Sequence, residues 1–168
     1  MYIFLRNNDY HYAAEQMLLM LFPEERPVYR SSDLGLRTEN AVELELRRGK
    51  TYTTAVCRLR YDRRTTRNYV RVRTDGIRTE EERGRIEQRI LKLAFYRAAL
   101  DIGIPKPEWG CLTGVRPAKF LAGLMQKDGL TEAAAVRKLV NTFGVSKERA
   151  ALALAAERAA ARAKAALA

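Results

Sequence analysis

The stretch Ala41-Val42-Glu43-Leu44-Glu45-Leu46-Arg47-Arg48-Gly49-Lys50-Thr51 decides how the first half of the chain folds. Val42, Leu44 and Leu46 alternate with Glu43, Glu45 and Arg47, which predicts a half-buried strand. Arg48-Gly49-Lys50 reads as a tight hairpin. A second strand follows over 51–61, with Ala55, Cys57, Leu59 and Tyr61 on one face. Residues 62–66 are expected to turn the chain. A third strand is expected over 68–73, with Val70 and Val72 inward, closed by Asp75-Gly76.

Upstream, 1–5 suits a first strand, and Asn7, Asn8 and Asp9 offer a turn and a helix cap. Ala14, Met17, Leu18, Leu21 and Phe22 then recur at helical spacing until Pro23 stops the helix. The single histidine, His11, sits at that helix start and reads as a surface or capping residue. Downstream, Thr79 caps a long helix, and Glu82 completes a capping box. Ile86, Ile90, Leu93, Ala94 and Leu100 form its apolar stripe; Gly103 and Pro105 end it. The expected class is α+β: a small antiparallel sheet packed by helices over 1–103, then a helical segment over 104–168.

That segment opens with Pro107-Glu108-Trp109-Gly110-Cys111-Leu112-Thr113-Gly114-Val115-Arg116-Pro117-Ala118-Lys119-Phe120. It contains the only tryptophan and reads as a rigid turn feeding a helix. Pro117 suits the first helical position. Gly110 and Gly114 permit positive φ or close approach. A helix start flanked by Arg116 and Lys119 is able to receive an anion. Three helices follow: one with Phe120, Leu121, Leu124 and Met125 inward; one capped by Thr131 with Val136, Leu139, Val140 and Phe143; and one capped by Ser146 that runs nearly to Ala168. The alanine-rich end favours helix but offers a shallow apolar stripe. It looks like a chain that continues into a further domain, or else like a frayed terminal helix.

The chain has 168 residues, 47% of them apolar, and a net charge of +11. That balance favours an acidic partner, such as nucleic acid, an anionic surface or a polyanionic small molecule. No apolar run approaches the roughly 20 residues of a membrane span, and no signal peptide is indicated, so a cytoplasmic location is expected. Seven arginines lie between Arg58 and Arg73, at 58, 60, 63, 64, 67, 71 and 73, interleaved with Tyr61 and Tyr69. On adjacent strands Arg58, Arg60, Arg71 and Arg73 make a candidate polyanion face, or simply the solvated side of a sheet. No ribonucleoprotein-type aromatic motif accompanies them. Cys57 and Cys111 with His11 are too few ligands for a closed zinc site. No dinucleotide or phosphate-loop fingerprint is present.

Trp109-Gly110-x-Leu112-Thr113-Gly114-Val115-Arg116-Pro117-x-Lys119 resembles the motif of HemZ-type coproporphyrinogen dehydrogenases, which are radical-SAM proteins related to oxygen-independent coproporphyrinogen III oxidase. The order of parts is similar too: a small α/β region, the motif, then helices leading toward a radical-SAM barrel. The resemblance implies oxidative decarboxylation of two propionates to vinyls in haem biosynthesis, with S-adenosylmethionine and a [4Fe–4S] cluster as cofactors. This sequence lacks the family's C-x-x-x-C-x-x-C trio, so the expected role is an accessory region for a missing or separately encoded catalytic domain. Arg116 and Lys119 would then contact an anionic porphyrinogen or that domain. Alternatively, Arg116 holds the turn by capping carbonyls. A reading of another class is a stand-alone RNA-binding module using the arginine-rich sheet.

Overall fold

The computed structural model describes residues 1–31 and 39–166. The chain divides after Pro105 into two compact units. The first holds a five-stranded, mostly antiparallel sheet packed by helices and the second is helical, an α+β architecture.

In the first unit, β1 (Tyr2–Arg6) leads through α1 (His11–Leu21) to a two-residue strand, β2 (Val28–Tyr29), then β3 (Ala41–Arg48), β4 (Tyr52–Tyr61), β5 (Arg64–Arg73) and α2 (Glu80–Asp101). The strand order is β2-β1-β3-β4-β5. β1 pairs in parallel with both β2 and β3, while β3–β4 and β4–β5 are antiparallel. The sequence pattern missed β2, which is too short to alternate, and the parallel pairing of β1 with its two neighbours. It also placed the start of β5 four residues late. The turn is only Asp62-Arg63, both at positive φ (46° and 62°), as a tight two-residue hairpin requires.

Register fixes the two faces. Val42, Leu44 and Leu46 stand opposite Leu59, Cys57 and Ala55, which stand beside Thr66, Asn68 and Val70. This is the helix side. Arg64 donates to the Ile102 carbonyl at 2.8 Å and Asn68 to Asp101 at 2.9 Å, both at the end of α2. Phe22, just past α1, packs on Tyr61 and Phe95 with ring centroids 4.7 and 6.1 Å apart. Phe95, Met17, Leu18, Ile3 and Leu91 are wholly enclosed in this layer, and apolar burial is the main source of its stability.

Local signals hold α2 in place. Thr79 accepts from the Glu82 N–H at 3.2 Å, a side-chain cap. The buried stripe differs from the expected one: Ile86 and Leu100 are half-buried, whereas Glu87 is 1% exposed. α1 has no side-chain cap. Asn8 accepts from the Tyr10 N–H instead, and Asp9 contributes its backbone carbonyl. His11 is exposed and meets the Tyr29 ring edge-on at 4.3 Å.

The second unit carries α3 (Pro117–Gln126), α4 (Glu132–Asn141) and α5 (Lys147–Ala166). Thr131 caps α4 and Ser146 caps α5 through their hydroxyls. Leu121, Leu124, Ala135, Leu139, Phe143, Val145, Ala150 and Ala153 form its core. Phe120 and Phe143 meet edge to face, centroids 5.0 Å apart. Val136 and Val140 are half-buried, and Ala135 takes the expected place of Val136 in the core. Beyond Leu154 nearly every described residue of α5 is exposed, and residues 167–168, where the helix was expected to continue, lie outside the described residues.

Candidate functional site

The tryptophan turn is built by backbone rather than by side chains. The Gly110 N–H reaches the Pro107 carbonyl at 2.9 Å and the Leu112 N–H the Trp109 carbonyl at 3.1 Å, closing the loop on itself. The Cys111 N–H bonds the Phe143 carbonyl at 2.9 Å, the Ser146 N–H bonds the Glu108 carbonyl at 2.8 Å, and Trp109 forms a bridge with Val145. The turn is thus stitched to the segment between α4 and α5. Gly110 is buried at φ +57°, and a Cβ there would lie 1.9 Å from the Phe143 carbonyl oxygen. Only glycine fits so close to a backbone. Phe143 and Val145 lie more than thirty residues away, so no local pattern marks them as partners.

Around this clamp the motif residues fall into two groups. Trp109, Leu112 and Thr113 are half-buried, and the Arg149 guanidinium carbon stands 5.6 Å from the indole centroid. Arg149 also pairs with Glu108, at 2.5 Å from Nη2 to the carboxylate. Gly114, at φ +68°, and Arg116 and Lys119 are exposed. Pro117 takes the first position of α3, and Arg116 precedes it with extended backbone and no side-chain cap. Neither Arg116 nor Lys119 has a carboxylate within ion-pair distance among the described residues. The Arg116 guanidinium makes no hydrogen bond to turn carbonyls among them, so capping does not account for it. Two cations one helical turn apart therefore stand beside the free N–H groups of α3.

The second candidate lies in the first unit. β4 and β5 present Arg58, Arg60, Arg67, Arg71 and Arg73 on the face away from α1 and α2, together with Tyr52, Val56 and Tyr69. Arg58, Arg60, Arg71 and Arg73 thus share one face. Arg64 turns to the helix side and Arg63 occupies the hairpin turn, so the seven arginines do not form a single surface. Tyr61 also faces the helices. Tyr69 is 65% exposed, and the Arg71 guanidinium stacks 4.1 Å above the Tyr52 ring.

Two carboxylates share this face, and they are not the solvated groups the alternation predicted. Glu43 is 2% exposed and pairs with Arg6, at 2.6 Å, and with Arg58. Hydrogen bonds from Arg47 hold the Glu45 carboxyl below its ordinary range against the opposing effect of burial, helped by the charges of Arg47, Arg6 and Arg67. Burial, then Arg67 and Arg6, lower the affinity of Arg58 for its proton. Arg73 is committed to Asp75 at 2.8 Å. Arg60, Arg67 and Arg71 have no carboxylate partner among the described residues.

The cysteines do not form a ligand set. Cys57 is enclosed in the sheet core, where burial pushes its thiol well up, and Cys111 is buried within the other unit. The described residues contain no group of three or more His, Cys, Asp or Glu placed to hold a metal. They do not fit an iron–sulfur cluster, which takes several thiolates. Among the described residues no helix is long and apolar enough to cross a membrane.

Fold and sites together define an α+β protein with one basic sheet face turned away from α1 and α2 and a glycine-pinned tryptophan turn opening a helical unit. No family model matches the chain, and no curated protein or solved structure matches it.

Proposed function

We propose that this chain is the N-terminal accessory part of a cytoplasmic, HemZ-like coproporphyrinogen III dehydrogenase. The radical-SAM domain that it serves would supply the [4Fe–4S] cluster and S-adenosylmethionine, and with them the oxidative decarboxylation of propionates to vinyls. The observation that carries the reading is the clamped turn from Trp109 to Lys119. The backbone bonds to Phe143 and Ser146 pin its start at Glu108 and Cys111, while Arg116 and Lys119 are exposed and have no carboxylate partner among the described residues. A pinned backbone with such cations is what recognition of a carboxylate-rich surface or substrate needs. Arg116 offers a planar fork for one carboxylate, and Lys119 a second positive charge a turn further on.

The test is titration of the purified chain with a cluster-loaded radical-SAM domain of a coproporphyrinogen dehydrogenase. A complex is expected to form, and Arg116→Ala with Lys119→Ala is expected to weaken it at least tenfold. The same pair of substitutions in a full-length relative should lower turnover. If no complex forms and turnover is unchanged, the proposal is wrong.

A further inference from the structure

We propose that the face of β4 and β5 turned away from α1 and α2 is a platform for single-stranded RNA. This lies in the first unit and does not depend on the role given to the tryptophan turn.

The argument starts from side-chain order. On that face β5 reads Thr65, Arg67, Tyr69, Arg71, Arg73, and β4 opposes it with Arg60, Arg58, Val56, Thr54, Tyr52. Same-face residues on one strand are about 6.8 Å apart. An exposed tyrosine therefore stands between two guanidiniums on its own strand, over the small apolar side chain of Val56. On one side of it lie Arg67, Arg58 and Arg60. On the other lie Arg71 and Arg73, with Tyr52 under the Arg71 guanidinium. Arg58, Arg60, Thr65 and Arg67 line one shallow groove with Leu59 and Thr66.

Folding alone does not ask for this arrangement. Arg58 stands directly opposite Arg67, and like charges in that position destabilise a sheet. The carboxylates on the face are spent on Arg6, Arg47 and Arg58. Arg60, Arg67 and Arg71 remain as net positive charge around an aromatic ring. Phosphates satisfy such guanidiniums, and an unpaired base satisfies the ring, since every base has a π-face for a tyrosine to stack on. A flat sheet meets splayed bases, whereas a duplex hides them. Single strands are therefore favoured over duplex RNA, and RNA over a polyanion without bases.

The experiment is fluorescence anisotropy of the full chain with a fluorescein-labelled single-stranded RNA of mixed sequence. The same RNA as a duplex, heparin and phosphatidylserine vesicles serve as competitors. The single strand is expected to bind, with log K falling linearly with log salt. Arg60→Gln, Arg67→Gln and Arg71→Gln should each flatten that slope by about 0.7. Tyr69→Ala should weaken binding roughly five- to a hundredfold while leaving the slope intact. Arg67, Tyr69 and Arg71 are exposed and Arg60 is half-buried, and unchanged circular dichroism will show that each variant folds. The proposal is overturned if no RNA binds at low salt. It is equally overturned if duplex, heparin or vesicles compete as well as the single strand, or if Tyr69→Ala binds RNA like the parent chain.

Discussion

Arg48 grips Glu87 with two hydrogen bonds, Nε to Oε1 at 2.7 Å and Nη2 to Oε2 at 2.8 Å, and so fastens the end of β3 to α2. Tyr10 adds a third at 2.7 Å from its hydroxyl. The same Arg48 donates to the Asn7 carbonyl. One carboxylate thereby joins the turn after β1, the start of α1, the sheet and α2.

The two partners are unequally buried, and their removal will not be symmetrical. Arg48→Ala leaves a carboxylate that is 2% exposed without its cation and should cost about 3–5 kcal/mol. Glu87→Gln leaves a guanidinium that is 43% exposed and regains water, so the cost should be nearer 2 kcal/mol. Urea unfolding of both variants, followed by circular dichroism, checks the order.

The cluster also sets how stability depends on pH. Burial opposes the charge on Glu87, but hydrogen bonds from Arg48 and Tyr10 and the charge of Arg48 outweigh it, and the carboxyl is held below its ordinary value of 4.5. A depressed folded-state value means stability that is present above 4.5 and lost as pH falls through the folded value. Tyr10 moves the other way. Burial, then the Glu87 hydrogen bond and charge, push its phenol from 10.0 up to about 12. Its contribution is full below pH 10 and is lost as pH rises through about 12. Thermal melts should therefore show an acid decline that flattens in Glu87→Gln and an alkaline decline that flattens in Tyr10→Phe.

Gly110→Ala should disrupt the second unit. The added Cβ meets the Phe143 carbonyl oxygen at 1.9 Å and the Gly144 carbonyl carbon at 2.5 Å, and positive φ adds about 1 kcal/mol for a non-glycine residue. Gly123→Ala is the control. It lies within α3 with nothing inside 4 Å of its Cβ, and should stabilise by up to about 1 kcal/mol. Trp109 fluorescence during thermal unfolding reads both.

The hairpin turn between β4 and β5 is a place to gain stability. Asp62 and Arg63 both hold positive φ without being glycine. Arg63→Gly removes the steric cost at one of them and should raise stability by about 1 kcal/mol. A higher urea midpoint with unchanged slope is the expected reading.

The parts that were legible in the sequence were the strongly periodic ones. Val42, Leu44 and Leu46 announced β3, and Thr79 announced the start of α2. The early start of β5 was hidden because Asp62-Arg63 lacks the glycine that normally marks so short a turn. β2 was hidden because two residues carry no period. Glu43 and Glu87 were hidden for another reason: a buried carboxylate needs a partner, and Arg58 and Arg48 lie 15 and 39 residues away. The arginine face was visible as composition, but strand register had to sort Arg63 and Arg64 from the rest. The clamp on Gly110 is made by backbone atoms of Phe143, which no side-chain pattern reports.

That two-residue link also works as a selector of polarity. Strand side chains alternate strictly, so one residue inserted between Asp62 and Arg63 that slipped β5 against β4 would exchange the sides of the ribbon. Val70 and Val72 would be thrust into water, and Arg67, Tyr69 and Arg71 driven against α2. The length of a single reversal thus decides whether this edge of the molecule is an electropositive exterior or a charge trapped under a helix.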